Sequence, residues 1–247
     1  MKLSATIITL NEEKNIGNCL ACLDFADEII VVDSGSSDKT EDICRANPKV
    51  RFFQHTWEGY GRQKNFAAEQ AVNDWILNID SDERVTPELR TSISHAALDS
   101  GTAFRMAREN YFGNRWIKYC GWYPDYTTRL YDRRKSTFSE RTVHETLICP
   151  EQAATLDGNL RHFTYDGIED YLRRMARYSR LAAEQLVNEG GRPKVSSLFV
   201  KPLATFIRMY FFRQGFREGE VGLNLSLLYA IYTFCKYSLA REMLKDK

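Results

Sequence analysis

Over residues 1–90 apolar runs and polar breaks alternate regularly. Leu3 to Leu10 is a continuous run rich in β-branched residues, the pattern of a strand covered on both faces, and Asn11-Glu12-Glu13 ends it. Ile16 to Phe25 repeats with helical spacing. Glu28 to Val32 predicts a second strand, which runs into Asp33-Ser34-Gly35-Ser36-Ser37-Asp38, a turn rich in helix-capping residues. A helix is expected from Thr40 to Ala46, a short strand from Val50 to Gln54, a helix from Arg62 to Val72 and a fourth strand from Trp75 to Ile79. Strands alternating with helices predict an α/β fold with a mostly parallel, Rossmann-like central sheet. Ligands of such sheets bind outside the carboxyl ends of the strands.

The C-terminal third has a different pattern. Leu172, Met175, Ala176, Ser179, Ala183 and Leu186 recur at helical spacing between Glu169 and Asn188, and Arg173, Arg174, Arg177 and Arg180 leave the other side basic. Gly190-Gly191-Arg192-Pro193 breaks this helix. Leu198 to Phe212 is strongly apolar with cations interspersed, and Val221 to Cys235 carries no charge. Neither reaches the run of about 20 apolar residues that a spanning helix needs. Basic residues beside aromatic and aliphatic ones fit an interfacial helix pair; helices packed on the rest of the chain or on a second subunit are the plainer alternative.

Composition narrows this only slightly. With 43% hydrophobic and 27% charged residues the 247-residue chain is globular, and its net charge is +1. The charge is uneven: residues 1–160 carry a net of −5 and residues 161–247 a net of +6. Such asymmetry suggests an anionic partner for the C-terminal part, a membrane surface or a nucleic acid. Cys19 and Cys22 form a lone C-x-x-C, and no second pair follows at zinc-ribbon spacing, so buried reduced thiols are expected. The N-terminal apolar run lacks a small-residue cleavage site and reads as a strand rather than a leader.

The chemistry gathers at three strand ends: Thr9-Leu10-Asn11-Glu12, Asp33-Ser34-Gly35-Ser36 and Asp80-Ser81-Asp82. On an extended chain, residues two apart point the same way, so Asp80 and Asp82 can face one hard divalent ion. An acidic turn ahead of the helix start at Thr86-Pro87-Glu88 is the plain alternative. No G-x-G-x-x-G follows the first strand and no P-loop occurs, which excludes the common dinucleotide and NTPase fingerprints.

In their order, Thr6-Ile7-Ile8-Thr9-Leu10-Asn11-Glu12-Glu13, Val31-Val32-Asp33-Ser34-Gly35-Ser36-Ser37-Asp38, Gly61-Arg62-Gln63-Lys64-Asn65 and Ile79-Asp80-Ser81-Asp82-Glu83 resemble inverting family 2 glycosyltransferases of the GT-A fold. Thr128-Arg129-Leu130-Tyr131, Val143-His144-Glu145-Thr146-Leu147 and His162 resemble a narrower group, the bacterial lipopolysaccharide core β-1,4-glucosyltransferases. The resemblance implies a catalytic domain over residues 1–165, with a nucleotide-sugar half to about residue 90 and an acceptor half after it. Residues 166–247 would form a helical extension that associates with a membrane or a second subunit.

The resemblance also implies roles. Thr9, Asn11, Glu12, Asp33, Arg62, Lys64 and Asp80 would hold the nucleotide-sugar. Asp80 and Asp82, with His162 as a third ligand, would hold Mg²⁺ or Mn²⁺ against the diphosphate. Glu145 is the first candidate for general base and Asp125 the second. Trp122, Arg129 and His144 would lie on the acceptor side, with Arg129 holding an anionic group or bracing Glu145. The expected donor is UDP-glucose and the expected acceptor an inner-core heptose of lipopolysaccharide. The protein would then work in the cytoplasm, peripherally on the inner membrane, with no nucleic acid partner. Other family 2 activities, on a polyprenyl-phosphate carrier or a capsular glycan, and a non-catalytic nucleotide-sugar-binding module remain as alternatives.

Overall fold

Strand formation in the first half follows from β-branched runs that bury both faces. The computed structural model, which describes residues 2–97, 101–139 and 145–245, has β1 at Leu3–Thr9, β2 at Glu28–Asp33, β3 at Val50–Gln54 and β4 at Trp75–Asn78. All three pairings among them are parallel. Between them lie α1 (Ile16–Ala21), α2 (Thr40–Arg45) and α3 (Tyr60–Glu69). Ile29 and Val31 point into one core with Ile16, Cys19 and Leu20, while Ile30 and Val32 point into a second with Ala67 and Ala68. The period of two, buried on both sides, is why the run reads as continuous apolar sequence.

The parallel block stops at β4. Short β5 (Glu83–Val85) and α4 (Pro87–Ser94) follow, then β6 (Ala103–Phe112), β7 (Arg115–Trp116), β8 (Asp125–Asp132), β9 (Thr137–Phe138), β10 (Leu147–Ile148) and β11 (Ala154–Tyr165). The main sheet runs β3-β2-β1-β4-β8-β6-β11-β5, with β7 on β6. β8 adds antiparallel to β4, β6 to β8, and β11 to β5, so the sheet is mixed. Thr86 caps α4 through the Leu89 amide and also pairs with Asn159 of β11. Gly158 permits this closeness: a Cβ there would stand 2.3 Å from the Leu89 nitrogen, and its φ is +86°.

Residues divide into two compact units. The first comprises Met1–Arg108 and Asp125–His162, the second Glu109–Pro124 and Phe163–Lys247. In the second, α5 (Ile168–Asn188), α6 (Ser197–Ile207) and α7 (Glu220–Met243) dominate. A π-helical turn at Arg208–Phe212 and a 3₁₀ turn at Gly215–Glu218 link α6 to α7. α5 buries Tyr171, Ser179 and Ala183 on one stripe, whereas Leu172, expected there, is exposed. The expected basic side of α5 is largely neutralised, because Arg173, Arg174 and Arg180 pair with Glu169, Asp170 and Glu184 on the same helix. Glu218, buried, accepts hydrogen bonds from the amides of Lys118 and Tyr119 and pairs with Arg115, so the Ile117–Trp122 segment is built into this unit.

Candidate active site

Asp80-Ser81-Asp82-Glu83 is a turn rather than extended chain. The Glu83 amide donates to the Asp80 carbonyl at 2.9 Å and the Asp80 amide to Glu83 Oε2 at 3.0 Å. Arg84 clamps the turn from behind, donating to the carbonyls of Ser81 at 2.7 Å and Asn15 at 2.9 Å. The Cys19 thiol, buried beneath, donates to the Asp80 carbonyl at 3.7 Å. A turn sends alternate side chains apart, and Asp80 and Asp82 accordingly take different partners.

Asp80 is held between two cations. Arg129, buried on β8, pairs with it, and Lys64, on α3 and 3% exposed, stands at 3.2 Å. Lys64 also reaches Glu145 at 2.8 Å, and Arg129 reaches Glu83 at 2.7 Å and Asn78 at 3.3 Å. Arg108 on β6 lies 3.7 Å from Glu83 and 2.6 Å from Asp125. The result is a line of alternating charge: Glu145, Lys64, Asp80, Arg129, Glu83, Arg108, Asp125. It brings both candidate bases and the first motif aspartate into one network, all within the first unit. Burial pushes the Asp80 carboxyl up, but the Arg129 charge, then Lys64 and His162, outweigh it and hold Asp80 well below the usual carboxylate range. Burial likewise opposes the Arg129 charge, and Asp80 and Glu83 more than restore it.

Asp82 has a different partner. The β5–β11 register sets His162 opposite Glu83, and His162 Nε2 stands 3.4 Å from Asp82 Oδ2. Burial lowers the imidazole's affinity for a proton, but the hydrogen bond and charge of Asp82, and then Glu83, raise its pKa above the ordinary histidine value. A carboxylate and an imidazole suit a divalent cation whose other positions are filled by phosphate oxygens and water. Asp80 fits that task less well than expected, since Arg129 and Lys64 occupy its two oxygens. Among the described residues no three His, Cys, Asp or Glu converge on one point; Asp82 and His162 stand together at 3.4 Å.

The other expected residues fall as follows. Asp33 turns its carboxylate inward, accepting from the amides of Gly35 at 2.9 Å and Ser36 at 2.7 Å and from the Ser36 hydroxyl. Asn11, at φ +56°, accepts from the Ser37 amide at 2.8 Å, and the Glu12 amide donates to Thr40 Oγ1 at 2.8 Å; together these join the ends of β1 and β2. Thr9 is buried at the same edge, its hydroxyl without a partner among the described residues. Arg62 is exposed and lies 3.9 Å from Glu58. Arg129, expected to hold an acceptor group or brace Glu145, is buried against Asp80 and Glu83, and Lys64 braces Glu145 instead. Trp122 belongs to the second unit, where its ring packs with Phe112, Tyr165 and Tyr229. His144 lies outside the described residues. Glu83 stands in the acidic motif but carries no role in the sequence reading, and Arg108, Asn78 and Arg84 have no local mark that assigns one.

Residues 4–151 match the glycosyl transferase family 2 profile. The lipopolysaccharide core biosynthesis glycosyltransferase LpsC of Rhizobium meliloti is 36% identical over 95% of this chain and 90% of its own length. An uncharacterized glycosyltransferase of Rickettsia bellii is 29% identical over 98% and 87%. Among solved structures, S. aureus TarS 1-349 in complex with UDP-GlcNAc aligns with a TM-score of 0.46 at 16% identity, over 100% of this chain and 92% of that one.

Proposed function

This chain belongs to glycosyl transferase family 2 and is related to a lipopolysaccharide core glycosyltransferase, and from that premise we propose that it moves glucose from UDP-glucose onto a heptose of the lipopolysaccharide inner core, with inversion. The observation that carries the reading is the alternating-charge line from Glu145 to Asp125, with the Asp82–His162 pair beside it. Such a site supplies fixed cations, an ion-binding pair and carboxylates within one cluster. The kinship with LpsC supports a core-sugar acceptor. An acceptor of that kind is anchored in lipid, which brings the protein to the cytoplasmic face of the inner membrane.

Asp82 and His162 would hold Mg²⁺ or Mn²⁺; when bound, the ion neutralises charge on the departing diphosphate. The chain's own residues do the rest. Lys64, buried between Asp80 and Glu145, fixes both carboxylates while Arg129 holds Asp80 from its other side. Glu145 accepts the proton of the acceptor hydroxyl as that oxygen bonds to the anomeric carbon and the bond to the diphosphate oxygen breaks. UDP leaves with the bonding pair.

The test is transfer from UDP-, GDP- and dTDP-sugars to a deacylated core oligosaccharide, with and without EDTA. UDP-glucose should be the preferred donor, and EDTA should abolish transfer until Mg²⁺ or Mn²⁺ is restored. Undiminished transfer in EDTA would remove the cation from the mechanism, and a preference for GDP- or dTDP-sugars would remove the donor assignment.

A further inference from the structure

α6 is an apolar helix that buries none of its residues. One side, including Pro202 and Thr205, is half-buried and faces α7, where Thr205 Oγ1 lies 3.2 Å from Thr233 Oγ1. Arg241, near the end of α7, donates to the Pro193 carbonyl ahead of α6 at 2.8 Å, so the two helices run antiparallel as a hairpin. The opposite side of α6 presents Phe199, Val200, Leu203 and Ile207, all exposed and at helical spacing. α7 adds Leu223, Leu227, Ile231 and Phe234 as an exposed stripe of its own. Between the helices, Phe211, Phe212 and Phe216 are also exposed, Phe212 at 78% and Phe199 on α6 at 70%. An uncovered apolar surface of this extent on one hairpin marks an interaction site.

Its charge selects the occupant. From Gly190 to Arg217 the chain has Lys or Arg at 192, 194, 201, 208, 213 and 217 and no Asp or Glu. Lys201 on α6 and Arg208 just past its end are exposed, beside the apolar face. Two copies of this face brought together would oppose like charges, whereas an anionic phospholipid surface offers hydrocarbon to the face and phosphate to its basic rim. Depth is limited by length. An 11-residue α6 rises about 16 Å, about half of a bilayer's hydrocarbon core. Among the described residues no helix is long and apolar enough to cross.

We infer that the α6–α7 hairpin is a monotopic anchor that lies in the interface of an anionic phospholipid bilayer, with Phe199 and Phe212 in the acyl boundary and Lys201 and Arg208 at headgroup level. It supplies the surface at which the lipid-anchored acceptor proposed above is met, and only in that respect rests on that reading.

Flotation of the full chain with vesicles tests it. Binding to vesicles of about 30% phosphatidylglycerol in phosphatidylcholine should exceed binding to pure phosphatidylcholine at least ~10-fold, and should weaken steeply as salt rises. Phe199→Ser/Phe212→Ser should lower binding ~10-fold or more, and Lys201→Glu/Arg208→Glu should abolish the preference for anionic lipid. Both variants should keep the parent's thermal midpoint and its transfer to a soluble deacylated acceptor. No vesicle binding at low salt, or binding indifferent to both variants, would overturn the anchor. A dimer in light scattering that Phe199→Ser/Phe212→Ser dissociates, without vesicle binding, would assign the face to a second copy instead. Vesicle binding that persists while no glycosyl transfer is found would sink the functional reading and leave the anchor standing.

Discussion

Arg129→Met tests whether the charged line is also the structural keystone of the first unit. Arg129 is 4% exposed, and Glu83, its partner at 2.7 Å, is fully buried. Without the guanidinium, Asp80 keeps Lys64 at 3.2 Å and some access to water, but Glu83 is left with Arg108 at 3.7 Å as its cation. Breaking a buried ion pair from one side costs about 3–5 kcal/mol, because the remaining charge stays desolvated. Set against a total stability of about 5–15 kcal/mol, that is a large fraction. For a chain of this size it corresponds to a fall of about 6–20 °C in Tm. Urea unfolding followed by circular dichroism measures it. Most of the cost should come from Glu83, so Arg129→Met/Glu83→Gln should be less unstable than the two single losses added, by about 1–3 kcal/mol. Arg129→Lys keeps charge but not the planar fork that reaches Asp80, Glu83 and Asn78, and should fall between. A Met variant within about 1 kcal/mol of the parent, or strict additivity in the cycle, would refute the reasoning.

Two further outcomes are expected. Burial raises the Glu28 carboxyl, but hydrogen bonds from Ser4 and the Val72 amide and the ion pair with Arg51 lower its folded pKa below the ordinary value. Its contribution is therefore complete above the unfolded pKa of about 4.3 and fades as pH falls through the lower folded value. Urea midpoints should show Glu28→Gln destabilised by about 1.5–3 kcal/mol at pH 7 and the gap closing below about pH 4; a gap that widens on acidification contradicts the sign. If Glu145 is the base, Glu145→Gln should cut single-turnover transfer by about 10²–10⁴ with UDP-sugar binding kept, while Asp125→Asn costs less than ~10-fold; the reverse order moves the role to Asp125.

The parallel half of the fold was legible because β1, β2 and β4 are runs of mostly buried residues bounded by polar ones, and β3, only partly buried, is a short apolar run between them. Strands Leu3–Thr9, Glu28–Asp33, Val50–Gln54 and Trp75–Asn78 lie within a residue of where periodicity puts them. The antiparallel half was not, because polar or glycine positions break the apolar pattern of its strands: Arg105 and Arg108 interrupt β6, Arg129 interrupts β8, and Gly158 interrupts β11. The same residues explain what was missed in the site. Arg108 and Arg129 act on carboxylates 25 and 46 positions back along the chain, and no local spacing encodes such a pairing. Asp80, Asp82, Lys64 and Glu145 were named because motif and order mark them. The ion pairs that join Lys64 to both Asp80 and Glu145 were not, because they link residues 16 and 81 positions apart.

The missing side chain at Gly158 reaches further than the contact it permits. The β11–β5 ladder is only three pairs long, Leu160 to Val85, Arg161 to Arg84 and His162 to Glu83. So short a ladder sets its own alignment weakly, and a slip by two would keep every side chain on its proper face. The close seating of Gly158 against α4 works as a detent, and shifting the strand would carry a side chain into a gap that admits none. The imidazole beside Asp82 thus takes its position from a clearance four residues upstream. A methyl group added there would misplace the histidine without touching any residue of the site.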